Sequence, residues 1–286
     1  DYITALLRQL MTQIAPDGQE CLDGTRFLDW PSNSNKDAIA AGLQALMVWG
    51  MRVGVEFAEL FEDRQLSNDC KAAEKKLVKA ASKVYKKFLA SCPAPDAPGS
   101  KQVAALMTIT GLIDAPKADK EFLSINGAQG FSTFYGYYML EAMATAGNYQ
   151  GALDVIREYW GAMIDLGATS FWEDFDINWI PNATPIDELV PEGKKDIHGD
   201  CGAYCYVGFR HSLCHGWASG PTSWLSRHIL GVEVIEPGCR QVRITPHLGD
   251  LQWVKGTFPT PYGEIQIYHE KQANGNVISE VKAPKG

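Results

Sequence analysis

The spacing of apolar residues changes once along the chain, and that change restricts the fold to a mainly α body followed by a β appendage. Up to about Leu230 the apolar positions recur every three to four residues, the period of a helix. After Pro237 and Gly238 they alternate: Val242 with Ile244, Ile265 with Ile267, Val277 with Val281, with Leu251 and Trp253 nearby. Alternation marks a strand with one buried face. Asn274 and Gly275 predict a type I′ hairpin turn, because both central positions of that turn need positive φ. Pro259, Pro261 and Gly263 mark another turn. The expected division is a helical domain over 1–231 and a small antiparallel β-sandwich over 232–286.

Within the helical part, residues 36–62 are apolar on nearly every face, as in a helix buried inside a large all-α domain, and Asn33, Ser34 and Asn35 supply cap candidates. The next helix has one wet side. Leu77, Ala81, Val84, Phe88 and, between them, Val78, Tyr85 and Leu89 fall at helical spacing, while Lys75, Lys76, Lys79, Lys83, Lys86 and Lys87 take the other face. The prolines between Pro93 and Pro98 stop it. Further helices are expected at about 102–113, 132–146, 149–166 and 206–230, with Gly147 at a helix C-terminus. Helices of alternating buried and wet character, joined pairwise, suggest αα-hairpins arranged as a toroid. The irregular stretch 169–203, with Pro181, Pro185 and Pro191, has a length that inside a compact domain is usually functional.

Composition narrows the partners. With 286 residues, 45% hydrophobic and 21% charged, the chain has ample apolar material for a core. A net charge of -8 with 26 Lys and Arg argues against a nucleic-acid partner, and the lysine run reads as a solvated helix face. The richest apolar run, 38–57, is broken by Gln44, Arg52 and Glu56, short of the roughly 18 to 20 uninterrupted apolar residues of a membrane span, so no membrane insertion is expected. The 7 cysteines are too sparse for a disulfide scaffold and odd in number, which leaves the compartment open between periplasmic or secreted and cytoplasmic. Cys201 and Cys205, with His198, His211 and His215, can be drawn as a metal site. Their spacing matches no strong zinc pattern, and neither metal nor cofactor is expected.

The chemistry lies in four segments: FLDWPSN (27–33), GATSFWEDF (167–175), SLCHGWASGPTSWL (212–225) and PGCRQVRITPHLGDLQWVKGTFPTPYGEI (237–265). Trp172 beside Glu173 and Asp174 at the mouth of a loop pairs a flat apolar ring with a carboxylate, a combination suited to a sugar. Inverting glycoside hydrolysis needs two carboxyl groups roughly 6.5 to 9.5 Å apart, one protonated and one ionised. Taken alone, each residue has a plainer reading: Glu173 as a loop glutamate paired with a cation, His215 as a structural histidine near a helix start, Asp29 as a cap and Trp30 as packing. Phe131, Phe134 and Tyr135 suit an apolar wall or a core equally.

Together and in order, the four segments resemble the bacterial α-L-rhamnosidase family (glycoside hydrolase family 78-like) over nearly all of the chain. The resemblance implies the C-terminal part of a catalytic (α/α)6 barrel plus a C-terminal β-sandwich, acting by inversion on terminal α-L-rhamnosyl groups of a glycan or glycoside. Glu173 matches the glutamate of the family's G-A-T-[ST]-x-W-E segment, which implies the general base. His215 is implied to line the sugar site, with Trp217 as a second stacking surface beside Trp172. Asp29 and Trp30 match a D-W pair of the pocket wall; Phe131, Phe134 and Tyr135, by residue type, are candidates for an apolar wall against the 6-deoxy methyl.

In such enzymes the general acid comes from a segment rich in Asp, Arg, Glu and Trp that precedes the matching part, and this chain contains none. About seven helices are expected where six hairpins need twelve, and Tyr2, Leu6, Leu7 and Leu10 already form an apolar stripe. The upstream part of the same polypeptide is therefore expected to supply the acid and to cover apolar surface. Three other readings stand beside the hydrolase: a non-catalytic carbohydrate-binding remnant, an (α/α)-barrel glycosidase for another sugar, and a Cys/His metal or redox domain.

Overall fold

Asn35 is the residue that starts the long buried helix, its side chain accepting from the backbone N–H of Ala38 at 3.0 Å. In the computed structural model, which describes residues 2–92, 94–197 and 211–285, the chain divides into two compact units, Asp1–Ala146 and Gly147–Gly286. The first unit contains α1 (Tyr2–Thr12), α2 (Lys36–Leu60), α3 (Arg64–Ser91), α4 (Ser100–Ile109), α5 (Ala115–Ala118) and α6 (Gly136–Thr145). By length and composition alone α2 is apolar enough to cross a membrane, contrary to the expectation from its polar interruptions. Two of those interruptions, Gln44 and Arg52, tie the helix to its neighbours in the unit. Gln44 is fully buried, accepting from Glu20 N (2.8 Å) and donating to Leu77 O (2.8 Å), and Arg52 pairs with Glu74 at 2.7 Å.

Met47, Val48 and Met51 of α2 pack with Leu66, Cys70 and Leu77 of α3 and with Leu7 of α1. All six lysines expected on the wet side of α3 are exposed, and Asp63 caps its start by accepting from Leu66 N at 2.9 Å. The next helix, α4, begins two residues earlier than expected and is buried along almost its whole length, Lys101 and Gln102 included. It ends before Gly111, whose φ of 60 leaves the helical region. The helix expected from 132 begins at Gly136, because Ser132 instead forms a turn in which its hydroxyl accepts from Tyr135 N at 3.2 Å.

The second unit opens with α7 (Tyr149–Asp165), capped by Asn148. The following stretch is irregular, as expected, apart from a 3-10 turn at Ile177–Trp179 and a two-residue parallel pairing of β1 (Ala183–Thr184) with β2 (Lys195–Asp196). The helix expected over 206–230 starts, among the described residues, only at Gly216, and 206–210 lie outside them. It runs as a 3-10 turn (Gly216–Ser219), α8 (Gly220–Trp224) and a π-helical turn (Leu225–Ile229). Residues 211–215 are not helical because their backbone pairs instead with 171–174, through Glu173 N to Ser212 O (2.8 Å) and His215 N to Phe171 O (2.7 Å).

The change of period falls where the sequence places it. Strand β3 (Val232–Val234) pairs antiparallel with β4 (Val242–Ile244), and β5 (Trp253–Thr260), β6 (Gly263–Lys271) and β7 (Val277–Lys282) form a second antiparallel sheet. Leu230, Val232, Ile265 and Ile267 form their core. Pro259 lies inside β5 rather than in a turn, and β5 is an edge strand, where a missing N–H is tolerated. The Asn274-Gly275 turn is not type I′: Gly275 alone has positive φ (86), and its N–H donates to Gln272 O at 2.9 Å. The loop is longer by one residue, with the glycine in the left-handed position that closes a three-residue hairpin.

Candidate functional site

In the second unit the segment 170–174 passes antiparallel to 211–215, and this crossing positions Glu173. Its backbone N–H is fixed on Ser212 O, its Oε2 accepts from Ser212 N at 3.0 Å, and its carbonyl accepts from Trp217 Nε1 at 2.6 Å. Both ends of the residue are thus pinned by the S-L-C-H-G-W segment, 39 to 44 positions away in sequence. His215 precedes the 3-10 turn in extended backbone (φ -135, ψ 113), and its ring lies 4.2 Å from that of Trp217. The structure therefore brings Glu173, His215 and Trp217 together, all three half-buried.

Burial alternates along the same segment: Phe171 and Glu173 are partly exposed, Trp172 and Asp174 buried. Trp172 is 0% exposed, edge-on to Phe175 and His211, so the expectation that its ring stacks on a sugar is corrected. An extended chain puts neighbours on opposite faces, and with Glu173 outward Trp172 must point inward. Asp174 is 2% exposed and cannot serve as the second carboxyl of a hydrolytic pair. Its backbone N–H donates to His211 Nε2 at 3.1 Å, and His211 Nδ1 lies 2.8 Å from Ile197 O. A backbone N–H only donates, so Nε2 accepts and the proton sits on Nδ1. His211 is accordingly a structural clasp. His198, Cys201 and Cys205 lie outside the described residues, and among the described ones no cluster of three metal-ligating side chains occurs.

The first unit holds Asp29, Trp30 and Phe131. Asp29 is 2% exposed and caps the 3-10 turn Trp30–Ser32, Oδ1 accepting from Trp30 N at 2.9 Å. Its Oδ2 accepts from Gln102 Nε2 (2.8 Å) and Ser132 Oγ (2.6 Å). The carboxylate is thus occupied by three protein donors rather than presented to a ligand. Burial raises its pKa, and the three donors oppose that shift. Burial, followed by the Asp29 carboxylate, also pushes the Tyr135 hydroxyl up. Trp30 is half-buried with its ring edge-on to Phe27 at 4.8 Å. Phe131 is 3% exposed with Lys101 Nζ 5.0 Å from its centroid, so that ring belongs to the core; Phe134, 41% exposed, is the ring that faces outward.

Sequence reasoning missed Gln102, Lys101 and Ser132. Gln102 lies 73 residues from Asp29 with no motif around it, so no local signal marks the pair. Ser212 belonged to a quoted segment, but its use of a backbone N–H could not be read from residue type.

A helical body with appended antiparallel sheets is also the fold of solved α-L-rhamnosidases. Residues 231–286 match the family model for the bacterial α-L-rhamnosidase C-terminal domain. Over 98% of the chain the fold superposes on a GH78 family rhamnosidase of Bacillus sp. GL1 (TM-score 0.68, 20% identity), and over 94% on an α-L-rhamnosidase from Dictyoglumus thermophilum (TM-score 0.66, 19% identity). The chain spans 29% of the length of each of those proteins. A comparison with curated protein sequences gives no match.

Proposed function

We propose that this chain forms the C-terminal part of an inverting glycoside hydrolase that removes terminal α-L-rhamnosyl groups, with Glu173 as general base. The observation that carries the reading is the pinned carboxylate: one oxygen is oriented by Ser212 N–H, beside the His215–Trp217 pair. In this reading Glu173 takes the proton of a water as that water attacks the anomeric carbon from the face opposite the leaving group. The leaving oxygen is protonated by a carboxylic acid from polypeptide outside these 286 residues. His215 orients the water or a ring hydroxyl, and Trp217 beside it provides an apolar face.

The region 1–231 is read as part of an (α/α)6 toroid and 232–286 as a β-sandwich that follows it, a reading supported by the family match over residues 231–286. Large apolar side chains left exposed in the first unit, such as Leu60 (72%) and Phe61 (68%), support further polypeptide packing on it. The test is Glu173→Gln in the full natural polypeptide. Loss of a general base should lower kcat on an aryl α-L-rhamnoside by about 10²- to 10⁴-fold with the fold retained. Activity within threefold of the parent rejects the assignment.

A further inference from the structure

Residues 170–174 belong to no helix or strand, so the aim of the Glu173 carboxylate depends on what holds the peptide groups around its Cα. Three of those groups are taken by residues of the 211–217 segment. The Glu173 N–H donates to Ser212 O at 2.8 Å, the Glu173 carbonyl accepts from Trp217 Nε1 at 2.6 Å, and the Asp174 N–H donates to His211 Nε2 at 3.1 Å. The peptide joining Glu173 to Asp174 is therefore gripped at both polar ends, by two heterocyclic side chains. Trp217 is itself held. It lies in the 3-10 turn Gly216–Ser219, where Ser219 Oγ donates to Gly216 O at 2.7 Å and the buried Ala218 accepts from Trp160 Nε1 of α7 at 2.9 Å. The preceding residue of α7, Tyr159, donates its hydroxyl to Phe175 O. Two adjacent residues of one helix thus anchor both the turn that carries Trp217 and the segment that carries Glu173, and the indole N–H joins the two.

We propose that Trp217 is a positioning residue for the general base: its indole N–H, more than its ring face, sets the direction of the Glu173 carboxylate. The inference rests on the reading of Glu173 given above and deepens it. An indole nitrogen donates and never accepts, so the bond to Glu173 O fixes the rotation of the ring as well as the carbonyl it meets. Breaking that bond leaves the 173–174 peptide held by His211 alone, and the plane of the peptide can then turn and carry the Cα of Glu173 with it. The bond from Ser212 N–H to Oε2, at 3.0 Å, depends on the same backbone placement. A misplacement of about 1 Å at a reacting group can cost about 100-fold in rate.

The five-membered ring of indole and an imidazole carry their N–H at the same reach from Cα. Trp217→His therefore keeps the donor and loses the benzo ring, while Trp217→Phe keeps an aromatic face and loses the donor. Both are made in the full natural polypeptide, and Trp217→Phe also in its Glu173→Gln form. Kinetics are measured on an aryl α-L-rhamnoside at about pH 8, above the ordinary histidine value of about 6.5, so that the imidazole is neutral. Trp217→Phe should lower kcat by about tenfold or more with KM within about threefold, and Trp217→His should stay within about threefold of the parent in both. Added to Glu173→Gln, Trp217→Phe should cause no further loss, because a residue that acts through the base has nothing left to position. Losses that multiply in the double variant, a change in KM alone, or a larger loss in Trp217→His than in Trp217→Phe each assign the effect to the ring face or to the fold; any of them overturns the positioning role and leaves Glu173 as the base. Near-parent activity of Glu173→Gln by itself removes the base, and the positioning role falls with it. Should Trp217→Phe fail to fold, Trp217→Leu is the donor-free variant and is judged by the same outcomes.

Discussion

Replacing Asp29 separates a buried hub from a sugar ligand. In Asp29→Ala, Gln102 Nε2 and Ser132 Oγ lose a common acceptor while remaining 1% and 3% exposed as residues, and Trp30 N loses its cap. A buried donor left unpaired costs about 1 to 3 kcal/mol. Gln102 retains a weak second acceptor in Gly130 O at 3.4 Å, and removing Asp29 relieves the desolvation that raises its pKa. The net loss is therefore expected to be about 2 to 4 kcal/mol. Asp29→Asn should cost less, about 1 kcal/mol, because its amide oxygen can keep Gln102 and Ser132 while only the cap to Trp30 is lost. The assay is equilibrium urea unfolding with the slope m held common. The sign with pH follows from the raised folded pKa: the native state holds the proton longer than the unfolded chain. Stability from this group is greatest below the unfolded carboxylate value of about 4 and falls as pH rises to the folded value. Asp29→Asn should remove that slope. An alanine variant within about 0.5 kcal/mol of the parent refutes the hub.

Trp160 Nε1 donates to the buried Ala218 O at 2.9 Å, whereas Trp172 Nε1 finds no hydrogen-bond partner among the described residues. Trp160→Phe should accordingly cost about 1 kcal/mol more than Trp172→Phe, measured by the same urea titration, since only the former strands an acceptor. His247 stacks on Tyr149 at 3.7 Å, and burial, followed by the neighbouring His228, lowers its pKa. The unfolded chain then binds the proton first, so stability should fall as pH drops below the unfolded histidine value of about 6.5. His247→Gln should flatten the change in Tm between about pH 7.5 and 5.5, and an unchanged slope refutes that account. Gly231 has φ +79, and a Cβ there would meet Pro246 N and Thr245 C at 2.5 Å. Gly231→Ala should lower stability by about 2 kcal/mol or more, read as a drop in Tm of the second unit, because backbone atoms cannot move aside as a side-chain tip can.

Local interactions explain what could be read without coordinates. The helical stripe of α3, the wet lysine face and the cap at Asn35 are contacts within a few residues, and alternation in β6 follows from the geometry of a single strand. The start of the β region near residue 232 was legible for the same reason. The Asn274-Gly275 turn was half legible: the glycine position was right, but the turn type depends on the register of β6 against β7.

The candidate site divides along the same line. Sequence by itself singled out Glu173, His215 and Trp217 through short segments, and it determined the helical period, the switch to strands and the net negative charge. Tertiary structure alone decided that Ser212 N–H holds the Glu173 carboxylate, that Trp172 turns inward, and that Asp29 is consumed by Gln102 and Ser132. The physical reason is that a hydrogen bond between residues 39 to 103 positions apart leaves no periodic trace, because what each partner must satisfy is set by the burial of both, and burial is a property of the assembled fold.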